Sequence, residues 1–257
     1  MVQPVLAWED PATNRENIGR LMAETEAAGI IVLPEMFNTG FTMASRELAE
    51  KMDGPTVQWM QEQARKYDAA VTGSLIISEG GRYYNRMVWT TPDGGVLWYD
   101  KRHLFTMGDE HLHFSPGHQR VTVQWKGWKI RLLVCYDLRF PVWSRNHDDY
   151  DLFIIVANWP SARHQVWKTL PVARALENQS FGIAVNRVGN DGMGLNYLGD
   201  SMMVTPKGEA TLLGDEACVQ TFSLSLQELH EFRKKFPVLN DRDPFGMVED
   251  EQVRISE

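Results

Sequence analysis

The sequence predicts an α/β layered sandwich with a mixed sheet. Short β-branched runs suited to burial on both faces alternate with helical stretches. Two pairs of runs flank turn-forming residues, Pro92-Asp93-Gly94-Gly95 and Lys126-Gly127, and so read as hairpins. No internal repeat and no low-complexity linker divides the chain, so residues 1–257 are expected to form one domain, with 236–257 as a C-terminal arm or tail.

Asp10-Pro11 reads as a helix cap followed by a proline at the first helical position, and the polar stretch behind it ends at Gly29. Ile30-Ile31-Val32-Leu33 is a doubly buried strand closed by Pro34, which leaves Glu35 at a strand end. A helix over 55–67 and a strand over 70–77 follow. The first hairpin joins 82–91 to 96–100, and the second joins 121–125 to 128–134 and delivers Cys135 to a strand terminus. Residues 151–157, carrying Leu152-Phe153-Ile154-Ile155-Val156, form another doubly buried strand, 161–179 a helix capped by Ser161, and 181–188 a strand. Four glycines make 189–199 a loop, too unlike a phosphate cradle to be one because no Gly-Lys-Ser/Thr ending follows. Strands over 201–205 and 217–224 and a helix over 226–235 complete the pattern, with Cys218 as a core residue of the last strand.

With 43% hydrophobic and 23% charged residues the chain has ample material for a core. A formal charge of −8 with scattered lysines and arginines argues against nucleic acid as a partner. No apolar run is long enough for a membrane span, and no signal peptide is visible. Two cysteines without paired spacing make neither a disulfide framework nor a zinc site, which fits a reducing, cytoplasmic setting.

Three segments set a reactive side chain at a strand end: Leu33-Pro34-Glu35-Met36-Phe37, Tyr99-Asp100-Lys101-Arg102-His103-Leu104 and Val134-Cys135-Tyr136-Asp137-Leu138-Arg139. Strand ends are where α/β sheets gather their sites. A thiol, a carboxylate and an ammonium together are a coherent set, because a thiol needs a base or a positive field to attack and a lysine can also hold an oxyanion. Taken singly, each has an ordinary reading as a solvated charge or a small core residue. His103, Glu110, His111, His113 and His118 also lie close in sequence, but no His-Glu-x-x-His pattern organises them for a metal.

In this order, the three segments resemble the signature of the nitrilase superfamily of carbon–nitrogen hydrolases. The wording of Lys101-Arg102-His103-Leu104-Phe105, Asp109-Glu110-His111, Cys135-Tyr136-Asp137-Leu138-Arg139-Phe140-Pro141 and Ala157-Asn158-Trp159-Pro160 is similar to its omega-amidase branch. The resemblance implies a four-layer α-β-β-α sandwich that forms a homodimer through its outer helices, with a first strand shorter here than is usual. It also implies a nucleophile at Cys135, a general base and acid at Glu35, an oxyanion-holding cation at Lys101 and a second glutamate at Glu110. The backbone N–H of Tyr136 completes the oxyanion hole. The substrates implied are small ω-amides of 2-oxo dicarboxylic acids such as 2-oxoglutaramate and 2-oxosuccinamate, cleaved through a thioester without metal or organic cofactor. Such a substrate carries a carboxylate, for which Arg139, Arg163 and Arg187 are candidates, with His111 and Asn158 as further donors and Trp159 and Phe41 as pocket walls. A carbamoylase or a general aliphatic amidase is the alternative within the superfamily. A metal-dependent hydrolase and a non-catalytic scaffold are the remoter ones.

Overall fold

The computed structural model describes residues 1–23, 27–147 and 150–246. In chain order they form β1 (Val2–Gln3), α1 (Pro11–Met22), β2 (Ile30–Val32), α2 (Ser45–Leu48), α3 (Pro55–Tyr67), β3 (Ala70–Glu79), β4 (Arg82–Thr90) and β5 (Val96–Asp100). Then come α4 (Glu110–His113), β6 (Thr122–Trp125), β7 (Trp128–Val134), α5 (Pro141–Ser144), β8 (Leu152–Val156), α6 (His164–Asn178) and β9 (Phe181–Val185). The remainder is β10 (Val188–Asn190), β11 (Asn196–Leu198), β12 (Met202–Val204), β13 (Ala210–Leu212), β14 (Cys218–Val219) and α7 (Leu226–Lys235).

Two sheets carry the fold, one of four strands in the order β2-β3-β4-β5 and one of six in the order β13-β12-β9-β8-β7-β6. Side-chain alternation along the strands builds the layers. On β4, Met87 and Trp89 turn inward and share a core with Leu133, Ile154 and other residues of β7 and β8. Val88, between them, turns outward and joins Ile31, Leu33 and Val71 against Ile18 and Met22 of α1 and Val57 and Met60 of α3. The six-stranded sheet is covered by α6, which packs on β9 and β12. The layers therefore run α-β-β-α.

Strand direction places the site. Strands β2 and β3 are parallel, and β4 is antiparallel to both β3 and β5, so β2 and β5 run the same way. Strands β7, β8 and β9 are parallel to one another. The residues that follow β2, β5, β7 and β8 are the turns bearing Glu35, Lys101, Cys135 and Asn158.

Several elements differ from the sequence reading. Helix α1 begins with the expected Asp10 cap, Thr13 N–H donating to Oδ1 at 3.0 Å, but ends at Met22 instead of reaching Gly29, and 24–26 lie outside the described residues. No side chain caps α6: Ser161 opens a short 3₁₀ turn, and the α-helix starts at His164. The glycine-rich segment expected as a loop is a hairpin, β10 pairing with β11, because Val188 and Tyr197 give the register side chains to bury. Cys218 is half-buried rather than a core residue, since β14 pairs only with the two-residue β1 in a small separate sheet. The first strand is short, as expected, at two residues. Of the C-terminal stretch, 236–246 lies on the body, with Leu239 buried and Gln179 Nε2 donating to the Phe236 carbonyl at 2.7 Å. Residues 247–257 lie outside the described residues.

Candidate active site

Glu35, Lys101 and Glu110 form one buried cluster, and Lys101 and Cys135 line a cleft of about 680 Å³. The Lys101 Nζ lies 2.9 Å from Glu35 Oε1 and 2.9 and 3.0 Å from the two Glu110 oxygens. Each side chain is pinned from outside the trio. Asn85 of β4 bridges the carboxylates, its Nδ2 donating to Glu35 Oε1 at 2.8 Å and to Glu110 Oε1 at 3.0 Å, while Ser74 Oγ of β3 donates to Asn85 Oδ1 at 2.8 Å. The Asn158 N–H donates to Glu35 Oε2 at 2.8 Å, and the Phe105 N–H to Glu110 Oε2 at 2.6 Å. Three buried charges survive here because nearly every lone pair has a donor.

The backbone of Lys101 is fixed on both sides. Its N–H donates to the Asn85 carbonyl at 3.0 Å, and its own carbonyl accepts from Gly117 N–H at 2.9 Å. Gly117 is required at that contact, because a Cβ there would meet the Asp100 carbonyl oxygen at 2.1 Å.

Cys135 directly follows β7 and opens a 3₁₀ turn with φ at +43°, a left-handed conformation costly for a residue with a side chain. The turn is held by Asp137, which is fully buried. Its Oδ2 accepts from Val134 N–H at 3.0 Å and Tyr99 O–H at 2.7 Å, and its Oδ1 from His103 N–H at 3.0 Å and His103 Nδ1 at 2.8 Å. One carboxylate thus ties the Cys135 turn to the segment that carries Lys101. His103 is kept in place by stacking on Phe140, with ring centres 3.7 Å apart.

Electrostatics divide the roles within the cluster. Burial pulls the Lys101 ammonium down, but the charges of Glu110 and Glu35 outweigh it and hold the group above the ordinary lysine value, so it stays a cation. Burial pushes Glu110 up, partly offset by Lys101. The Cys135 thiol, whose Sγ faces the Asn158 carbonyl at 4.0 Å, is raised well above the usual value, first by burial and then by the charge of the Glu35 carboxylate; Lys101 opposes that shift. At neutral pH the sulfur therefore keeps its proton beside a carboxylate able to take it. Such an arrangement can couple proton removal to nucleophilic attack while a fixed cation waits for negative charge on the attacked carbonyl.

The cleft is walled by Phe41, Tyr136, Arg139, Asn158, Trp159 and Arg163, among others. The ring of Phe41 lies 5.3 Å from Lys101 Nζ. Asn158 is occupied inward, its Nδ2 donating to the Glu35 carbonyl at 2.5 Å, which makes it a clamp on Glu35. Two expected site residues lie elsewhere. Arg187 is fully buried behind Tyr197, its guanidinium 4.8 Å from that ring and donating to the carbonyls of Leu6, Val188 and Asn190. His111 is exposed on α4, outside the cleft wall. The histidines near Lys101 are also dispersed, His103 on Asp137 and His118 against Arg102 at 2.9 Å. Among the described residues no three His, Cys, Asp or Glu side chains are grouped to hold a metal. Asn85, Ser74 and Asp137 are the supporting residues that the sequence reading did not single out.

A model of the carbon-nitrogen hydrolase family matches residues 1–234. The chain belongs to this family. It is 44% identical over 249 residues to omega-amidase YafV of Escherichia coli K12, covering 96% of this chain and 97% of that protein. It is 35% identical to 2-oxoglutaramate amidase of Bacillus subtilis, covering 85% and 86%. Among solved structures, XC1258 of Xanthomonas campestris, a CN-hydrolase superfamily protein with an arsenic adduct in its active site, superposes with a TM-score of 0.94 at 44% identity over 96% of this chain and 97% of that one. The amidase of Nesterenkonia sp. AN1, in a glutamate-to-glutamine mutant with acrylamide added at its active-site cysteine, gives 0.79 at 26% identity over 93% and 97%. The expected fold and the expected class, a hydrolase of carbon–nitrogen bonds other than peptide bonds, are therefore those of its family.

Proposed function

We propose that this carbon–nitrogen hydrolase is an omega-amidase, cleaving the terminal amide of small 2-oxo dicarboxylic acid ω-amides such as 2-oxoglutaramate and 2-oxosuccinamate. The observation that carries the chemistry is the buried Glu35 carboxylate, whose charge acts on the Cys135 thiol and which lies 2.9 Å from Lys101 Nζ. The substrate class is supported by the likeness to YafV and to 2-oxoglutaramate amidase over most of their lengths.

In this mechanism Glu35 takes the thiol proton as the Cys135 sulfur attacks the amide carbon. The carbonyl oxygen becomes an oxyanion held by Lys101 and the Tyr136 N–H. The C–N bond breaks as Glu35 returns the proton to nitrogen, and ammonia leaves a thioester on Cys135. Glu35 then takes a proton from water, whose oxygen attacks the thioester. The carboxylic acid departs, and the sulfur recovers its proton from Glu35. Glu110 keeps Lys101 charged and directed. No cofactor enters the cycle.

A homodimer and a cytoplasmic setting belong to the same reading. The first rests on family resemblance, and the second is supported by two free thiols, one of which must stay reduced to act. The same reading treats 1–257 as one catalytic domain. The test is ammonia release from a panel of amides and nitriles: ω-amides bearing a distal carboxylate are expected to exceed neutral monocarboxamides in kcat/KM. The reverse order would reassign the substrate to the carbamoylase or aliphatic amidase type.

A further inference from the structure

We infer that Arg163 and Arg139 together form the clamp for the substrate's distal carboxylate, and that they set the preference for acidic over neutral amides. The inference rests on the omega-amidase reading and deepens it.

The case begins with charge balance in the cleft. Its wall includes three cations, Lys101, Arg139 and Arg163, and two acids, Glu9 and Asp191. Lys101 is consumed by Glu35 and Glu110. Glu9 accepts a short hydrogen bond from Thr42 Oγ1, and Asp191 accepts from Tyr197 O–H at 2.8 Å and from the N–H groups of Met193 and Leu195 at 2.9 Å. Neither acid pairs with an arginine. Arg139 and Arg163 are left with no ion pair among the described residues, and their guanidinium groups lie instead on aromatic faces, Arg139 5.4 Å from the Trp159 ring and Arg163 4.9 Å from the Phe105 ring.

In a chain of net charge −8, Arg139 and Arg163 put two guanidinium groups without a carboxylate partner into the wall of one cleft. Arg86, Arg174 and Arg233 are each held by a carboxylate. An aromatic face under a guanidinium restrains its plane while leaving its N–H edge open, the geometry that accepts a carboxylate through two parallel hydrogen bonds. Position agrees with this role. Arg163 ends the 3₁₀ turn Ser161–Arg163 just beyond Trp159, and Arg139 ends the turn that Cys135 opens, so both line the cleft of the attacking sulfur from elements already fixed by the site. Arg187, buried on backbone carbonyls, cannot serve.

The test measures kcat/KM for an ω-amide with a free distal carboxylate and for its methyl ester, in the unaltered protein and in Arg163→Gln, Arg163→Lys and Arg139→Gln. The preference for the acid is expected to fall about ten- to a hundredfold in each glutamine variant, the range for a lost hydrogen bond to a charged group. Arg163→Lys should lie between, since it keeps charge but not the fork. Inhibition by succinate should weaken by a similar factor, and thermal melting separates a binding defect from a folding one. Should the protein prefer the acid and both glutamine variants keep that preference, the clamp is refuted while the omega-amidase reading stands. Should the unaltered protein show no preference for the acid, both fail.

Discussion

Asp137 accepts two hydrogen bonds from His103, from its backbone N–H at 3.0 Å and its Nδ1 at 2.8 Å, and so joins the turn after Cys135 to the segment after Lys101. The two segments end strands of different sheets, and their side chains must meet within a fraction of an ångström for the proposed chemistry. Replacing Asp137 by Asn turns an NH₂ group toward buried donors. The expected outcome is a loss of about 1–3 kcal/mol in stability, read by urea denaturation. A fall in kcat of roughly ten- to a hundredfold should accompany it, with KM much less affected, since the defect lies in alignment rather than in the substrate's distal contacts.

Lys101→Met should be costly to the fold as well as to activity. Removing the cation leaves Glu35 and Glu110 facing each other in a dry site, at a cost of about 3–5 kcal/mol near neutral pH. The sign of its pH dependence follows from Glu110, which burial already raises above the ordinary carboxylate value. Without Lys101 that rise grows, so the folded state holds a proton that the unfolded chain has released. Stability of the variant should therefore increase as pH falls toward about 4.5, and its deficit relative to the parent protein should narrow. Denaturation curves at a series of pH values check this.

The raised Cys135 thiol yields a less intuitive expectation. After burial, the carboxylate of Glu35 is the largest cause of that rise. Glu35→Gln should thus lower the thiol's pKa and speed alkylation of Cys135 by iodoacetamide at pH 8, while ammonia release falls by at least about a hundredfold through loss of the base. In the unaltered protein alkylation should accelerate only as pH rises above the ordinary thiol range. Peptide mapping of the alkylated cysteine provides the readout.

The sequence made the layers and the floor of the site legible because those features are local. Ile30-Ile31-Val32-Leu33 closed by Pro34 and the turn at Pro92-Asp93-Gly94-Gly95 announce their strands, and Glu35, Lys101 and Cys135 stand directly behind strand ends. Contacts that arise only on folding were not legible. Asn85 is one polar residue within a strand, and only the antiparallel register that brings Lys101 back to its carbonyl reveals it as the bridge between two carboxylates. Arg187 follows a buried strand as a ligand-binding arginine would, but its partners are carbonyls contributed by Leu6 and by its own hairpin. The glycines of 189–199 suggested a loop, whereas Gly189 and Gly194 serve at positive φ within a hairpin that places Tyr197 in the cleft wall.

The rate of ammonia release from 2-oxoglutaramate by Cys135→Ala, set against the parent protein, bears most directly on the proposed centre. Loss of at least about a thousandfold, in a variant that melts like the parent, is expected if the Cys135 sulfur forms the thioester. Turnover within a few-fold of the parent would contradict it, because among the described residues Cys135 is the one thiol that lines the cleft.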